Sequence, residues 1–173
     1  MAGLEIPVRR MPFEVPAVAS FHPLYIAGHA ALSYQMTGLG LYVALLEPFI
    51  VKTGCVLDRV NDPDLKEAVD RFCRQEAQHY QQHERFNALI FGQNYPGLEA
   101  RYEQLRADFD HFLREEDDRF RVGFVEGFEA NTNQGALALM KAGGVKTPQD
   151  GQSPWPIVGV AHARRDRTSP CCV

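Results

Sequence analysis

Between Asp62 and Phe91 the chain repeats apolar residues at three- and four-residue steps, with Leu65, Val69, Phe72 and Ile90 on one helical stripe. Three ionisable side chains fall inside that stripe. At about 100° per residue, Glu76, His79 and His83 project within an arc of about 60°, on the side that the apolar pattern predicts to be buried. Ionisable groups on a core-facing stripe are costly unless paired, hydrogen-bonded or bound to a metal. Whatever this chain folds into must bring partners to that face.

The same segment has well-marked ends. Asn61-Asp62-Pro63 supplies an N-cap aspartate and a proline for the first helical position, and Gly92 stands where a helix stops. A first helix is expected from Leu24 to Thr53, a third from Leu98 to Glu116 with one solvated face, and a fourth from Asp118 to Met140, apolar on several sides and therefore buried. Pro7, Pro12, Pro16 and Pro23 predict an extended arm over residues 1–22. The Gly- and Pro-rich stretch 143–173 shows no sustained period and reads as an irregular or disordered tail. With 173 residues, the chain has room for one domain with a real core, placed at 23–142. Four helical segments with short connections predict an all-α antiparallel bundle.

Composition narrows the function classes. A net charge of −4 argues against a nucleic-acid surface, which would be basic. The most membrane-like stretch, Leu24–Val51, carries His29, Gln35, Glu47 and Pro48, so a buried helix is expected rather than a stable membrane span. The N-terminus has no apolar run of signal-peptide length. Cys55, Cys73, Cys171 and Cys172 form no Cys-x-x-Cys pair and suggest no disulfide framework, which points to a reducing, cytoplasmic setting. Phosphate-binding loops, nucleophile elbows and His-Glu-x-x-His signatures are missing from the sequence.

A metal site is the chemistry that best explains the inward ionisable residues. Glu-x-x-His with a second histidine one turn later is a spacing used in helical bundles. The rise from Glu76 to His83 is about 10 Å, so two ions roughly 3.5–4 Å apart, with Glu76 between them, would use the whole set. The alternative is a hydrated polar face turned outward. Glu47 is the second candidate, a lone carboxylate inside LYVALLEPFIV on a face with Met36, Gly40, Val43 and Val51. It could equally be a carboxylate hydrogen-bonded near a helix end, re-aimed by a kink at Pro48. Glu129 is the third, on the stripe of Val122, Val125, Ala136 and Met140, with Glu126 at its edge. His29 shares the Glu47 face but lies about 27 Å away along a helix. His22, His111 and His162 have no ligand-like company.

The run DPDLKEAVDRFCRQEAQHYQQHERFN resembles the signature of the predicted metal-dependent hydrolase family, and LLEPF, VRRMPFEVP and GFVEGFEANT resemble its flanking segments. The likeness covers roughly residues 8–132. It implies a ferritin-like ligand pattern with Glu47, Glu76, His79, His83 and Glu129 as metal ligands, and a bundle incomplete at the C-terminus, because the tail does not match the family. Two departures stand out: Glu129-Ala130 where the family tends to read Glu-His, and a tail with the look of a truncated, spliced or frame-shifted form. Three functions follow. One is a metal-dependent hydrolase, with Glu47 and Glu76 as catalytic residues and Glu47 accepting the proton of a metal-bound water. Another is a di-iron oxidase or oxygenase of the ferritin-like type, since hard carboxylates and imidazoles favour iron or manganese, with zinc possible. The last is a chain with impaired metal binding that acts as an interaction partner. The substrate is a small molecule that the sequence does not specify. An apolar groove left by a missing helix would suit a homodimer.

Overall fold

Among the described residues the polypeptide forms four α-helices, α1 (Ala30–Thr53), α2 (Pro63–Phe91), α3 (Leu98–Glu115) and α4 (Asp118–Lys141), with short 3-10 segments at Val18–Ser20 and Gly54–Arg59. The computed structural model describes residues 17–26 and 28–141. Most of the expected N-terminal arm and the tail from residue 143 lie outside the described residues. Helices are the only regular secondary structure among the described residues, as expected for an all-α bundle.

Local chemistry accounts for the helix boundaries. The Asp62 carboxylate accepts from the backbone N–H groups of Asp64 at 2.9 Å and Leu65 at 3.1 Å, and Pro63 follows it at the first helical position. Gly92 ends α2 as expected, but not through left-handed geometry, since its φ is −62°. Its value is room: a Cβ there would meet Val18 Cγ1 at 2.5 Å. The left-handed glycine of this region is Gly97, at φ 75°, which redirects the chain into α3.

The first helix starts six residues later than the periodicity predicts, at Ala30 rather than Leu24. Pro23 precedes the segment, Gly28 adopts φ 73°, and the Ile26 N–H donates to Ser33 Oγ at 3.0 Å instead of entering a helical ladder. Tyr25 and Ile26 are nevertheless buried. They join Phe21, Leu41, Phe86, Leu89, Ile90 and Tyr102 in one core cluster. A second cluster is built on Leu46, Phe49, Ile50 and Phe109, where the Phe49 ring meets Phe109, Phe112 and Phe124 at centroid distances of 5.5, 6.4 and 5.7 Å.

α1 is the central helix, packed most extensively along α2 and then against α3 and α4. Three contacts fix the sense of the α1–α2 pair: Gly40 lies level with Asn87, Glu47 with His83 and His79, and Gly54 with Cys73. Numbers rise along one helix as they fall along the other, so the pair is antiparallel. Tyr42 against Phe128 and Phe49 against Phe124 give α1 and α4 the same relation. By length and composition α1 could cross a membrane, but half of its most apolar stretch is buried inside the bundle.

The burial pattern departs from the sequence pattern in two places. Leu65, read as part of the α2 stripe, is 52% exposed, and the buried face of α2 begins only at Gln75. α4 was expected to be covered on several sides, yet Phe120 and Val122 are exposed. Among the described side chains, α4 meets the core through Phe124, Val125 and Phe128. Its start is tied to the preceding connection by an ion pair between Arg59 and Asp118.

Candidate metal centre

The inward face of α2 carries Glu76, His79 and His83, which are 1%, 2% and 4% exposed. α1 meets that face with Glu47, itself 1% exposed. The helix runs through Pro48 without interruption, so the carboxylate projects from regular α-helix. One donor atom from each of Glu47, Glu76 and His79 lies within 4.8 Å of the other two. His79 Nδ1 stands 3.5 Å from Glu47 Oε1 and 3.6 Å from Glu76 Oε2, while His83 Nε2 stands 3.7 Å from Glu47 Oε1.

These separations lie at or beyond the outer limit of a hydrogen bond. They suit donors arranged around a shared cation. Two donors each about 2.1 Å from one ion and subtending a tetrahedral angle lie about 3.4 Å apart. Both imidazoles approach the same oxygen, so Glu47 rather than Glu76 occupies the position between the histidines. The antiparallel crossing explains this: α1 passes opposite the one-turn gap between His79 and His83, whereas Glu76 lies at the end of their row.

Electrostatics favour the same reading. Burial pushes the His79 imidazole down to about 4, so at neutral pH it offers a lone pair and no charge. Neutral imidazole is the form that binds metal, and a divalent cation would bring positive charge beside the two carboxylates. Hard carboxylate oxygens with imidazole nitrogen suit manganese, iron or zinc.

Glu129, on α4, is not part of the group of three donors within 4.8 Å. It is half-buried, and burial pushes its carboxyl up to about 7. Glu126 is exposed, as are His22, His29 and His111. His162 lies outside the described residues, as do the side chains of Ala136 and Met140.

Two buried polar residues beside the centre escaped the sequence reading. Gln75 precedes Glu76, and Asn87 stands one turn beyond His83. The signal for Asn87 was present: the series 76, 79, 83, 87 continues the i, i+3/i+4 step along one face.

A family model described as predicted metal-dependent hydrolase matches residues 7–151. No curated protein matches the chain. No solved structure matches it either.

Proposed function

This chain belongs to the predicted metal-dependent hydrolase family, and we propose that it hydrolyses a small-molecule substrate at a metal centre held by Glu47, Glu76, His79 and His83. Glu129 from α4 is proposed to complete the ligand set. The observation that carries this reading is the convergence of Glu47, Glu76 and His79 donors within 4.8 Å, each side chain almost wholly buried. When bound, a divalent ion in such a site lowers the pKa of its water toward neutrality, which makes a nucleophile at physiological pH.

The protein's own residues then have separate tasks. Glu76 and His79, one turn apart on α2, hold donors on a rigid helix, so the geometry does not depend on a loop. Glu47 is proposed to take the proton from the water, while His83, whose Nε2 stands 3.7 Å from Glu47 Oε1, stays a ligand. Leu46, Phe49 and Ile50 flank Glu47 in sequence and are buried, and Glu47, Glu76, His79 and His83 are themselves at most 4% exposed, so little bulk water reaches them.

A second reading is kept because the donors are carboxylate-rich and helix-borne. That is the pattern of ferritin-like di-iron proteins, in which the chemistry is oxidation rather than hydrolysis. Metal analysis of protein purified without chelator separates the two. Zinc or manganese with turnover of simple esters or phosphoesters supports the hydrolase. Two irons per chain, with oxygen-dependent absorbance changes, support the oxidase. A wild-type chain that takes up no metal, or a Glu76→Ala variant that binds as well as wild type, overturns both.

A further inference from the structure

Asn87 lies one turn beyond His83 on the inner face of α2 and is as buried as the metal-centre residues. Its Nδ2 donates to the backbone carbonyl of Gly40 on α1 at 3.4 Å. Its Oδ1 has no hydrogen-bond partner among the described residues. The Tyr102 hydroxyl of α3 is close enough for the amide to influence its pKa, but no well-formed hydrogen bond joins the two. A buried amide satisfied on one side only lowers stability relative to an apolar side chain of similar size. Packing alone gives no reason for asparagine at this position.

What the amide adds is direction. Gly40 stands two turns before Glu47 on α1, and Asn87 stands one and two turns after His83 and His79 on α2. Their contact is thus one rung along the seam that also holds the centre. A slip of one residue between the two helices would shift Glu47 by about 1.5 Å and rotate it by about 100°. A metal centre needs its ligands placed within about 0.5 Å. The hydrocarbon along the seam is attracted without regard to direction, so it does not select one register sharply. A hydrogen bond to a single backbone carbonyl does.

We infer that Asn87 is a positioning residue for the metal centre: anchored on the Gly40 carbonyl, it sets the α1–α2 register that brings Glu47 between His79 and His83. This rests on the metal site proposed above and adds a residue that is not one of its donors.

The experiment is a manganese(II) titration of the full chain after chelator treatment, with free ion followed by electron paramagnetic resonance and melting measured in chelator. Asn87→Leu is expected to weaken manganese binding at least about tenfold, in the range seen when groups supporting metal ligands are removed. Its metal-free melting temperature should equal or exceed that of wild type. Leu89→Ala, a core truncation next door, should do the reverse, melting earlier with manganese affinity within about twofold of wild type. Where the leucine variant does not fold, Asn87→Ala reads the same loss of affinity. Wild-type binding matched by Asn87→Leu overturns this inference alone. Absence of binding by wild type removes the centre and the inference with it.

Discussion

His79 and Glu129 act in opposite directions as pH falls, and single variants should expose each effect against the wild-type protein. The His79 imidazole is pushed from 6.5 down to about 4 by burial, so the folded state disfavours its proton. Its contribution is complete above about pH 6.5 and is lost as pH falls toward 4. The Glu129 carboxyl is pushed from 4.5 up to about 7, so the folded state favours its proton. Its contribution is complete below about pH 4.5 and is lost as pH rises toward 7. Each gap is about 2.5 pH units, which at about 1.4 kcal/mol per unit amounts to about 3 kcal/mol. Between pH 6.5 and 4.5 the two slopes are equal and opposite. Relative to wild type, His79→Gln should therefore gain about 3 kcal/mol as pH falls over that interval, and Glu129→Gln should lose about as much. Urea unfolding in chelator, followed by far-ultraviolet circular dichroism at several pH values, measures all three. Parallel profiles for the two variants would refute the reasoning, because they would mean that neither group is held off its ordinary titration by the fold.

Other expectations test the frame around the centre. Gly92→Ala should cost about 1 kcal/mol in chemical denaturation, since its new Cβ would stand 2.5 Å from Val18 Cγ1 on a partly exposed side chain able to yield. Val18→Ala in the same chain should restore most of that loss. Asp62→Ala should cost about 1 kcal/mol by removing the acceptor for the Asp64 and Leu65 N–H groups, without altering metal affinity. His111→Ala should leave metal content and melting temperature unchanged, whereas His79→Ala should abolish uptake in a metal-binding assay.

Much of this molecule is written in short-range patterns, and what is not follows from contacts between distant segments. The α2 helix was legible because its cap, its proline and its period agree, and the burial of Glu76, His79 and His83 follows from their shared arc. The late start of α1 was not legible. Leu24, Tyr25 and Ile26 have helix-compatible side chains, and the hydrogen bond from Ile26 to Ser33 and the left-handed Gly28 show that the chain turns away there. The exposure of Leu65 was hidden for a similar reason, because a periodic stripe does not say where the neighbouring helix ends. Glu47 was found by its oddity among apolar neighbours. Its place between the two histidines depends on a crossing that no single segment encodes.

That crossing also explains why α1 reads as a possible membrane span. A helix with neighbours on several sides needs apolar residues around most of its circumference, and α1 touches α2, α3 and α4. Composition does not distinguish such a helix from one bathed in lipid, but one position does. Glu47, three-quarters of the way along α1, is 1% exposed, and a carboxylate there is expensive in either environment unless charge is met locally. Here the bundle brings Glu76, His79 and His83 to the same level. The α1–α2 seam thus has two physical regimes, hydrocarbon at Phe86 and Ile90 toward one end and ionisable donors in the middle. Asn87 stands at their boundary, where a directional contact can hold the second in place against the first. On this ordering, substitutions at the hydrocarbon end should change how firmly α1 and α2 associate, and only those at the boundary or beyond it should change what the donors bind.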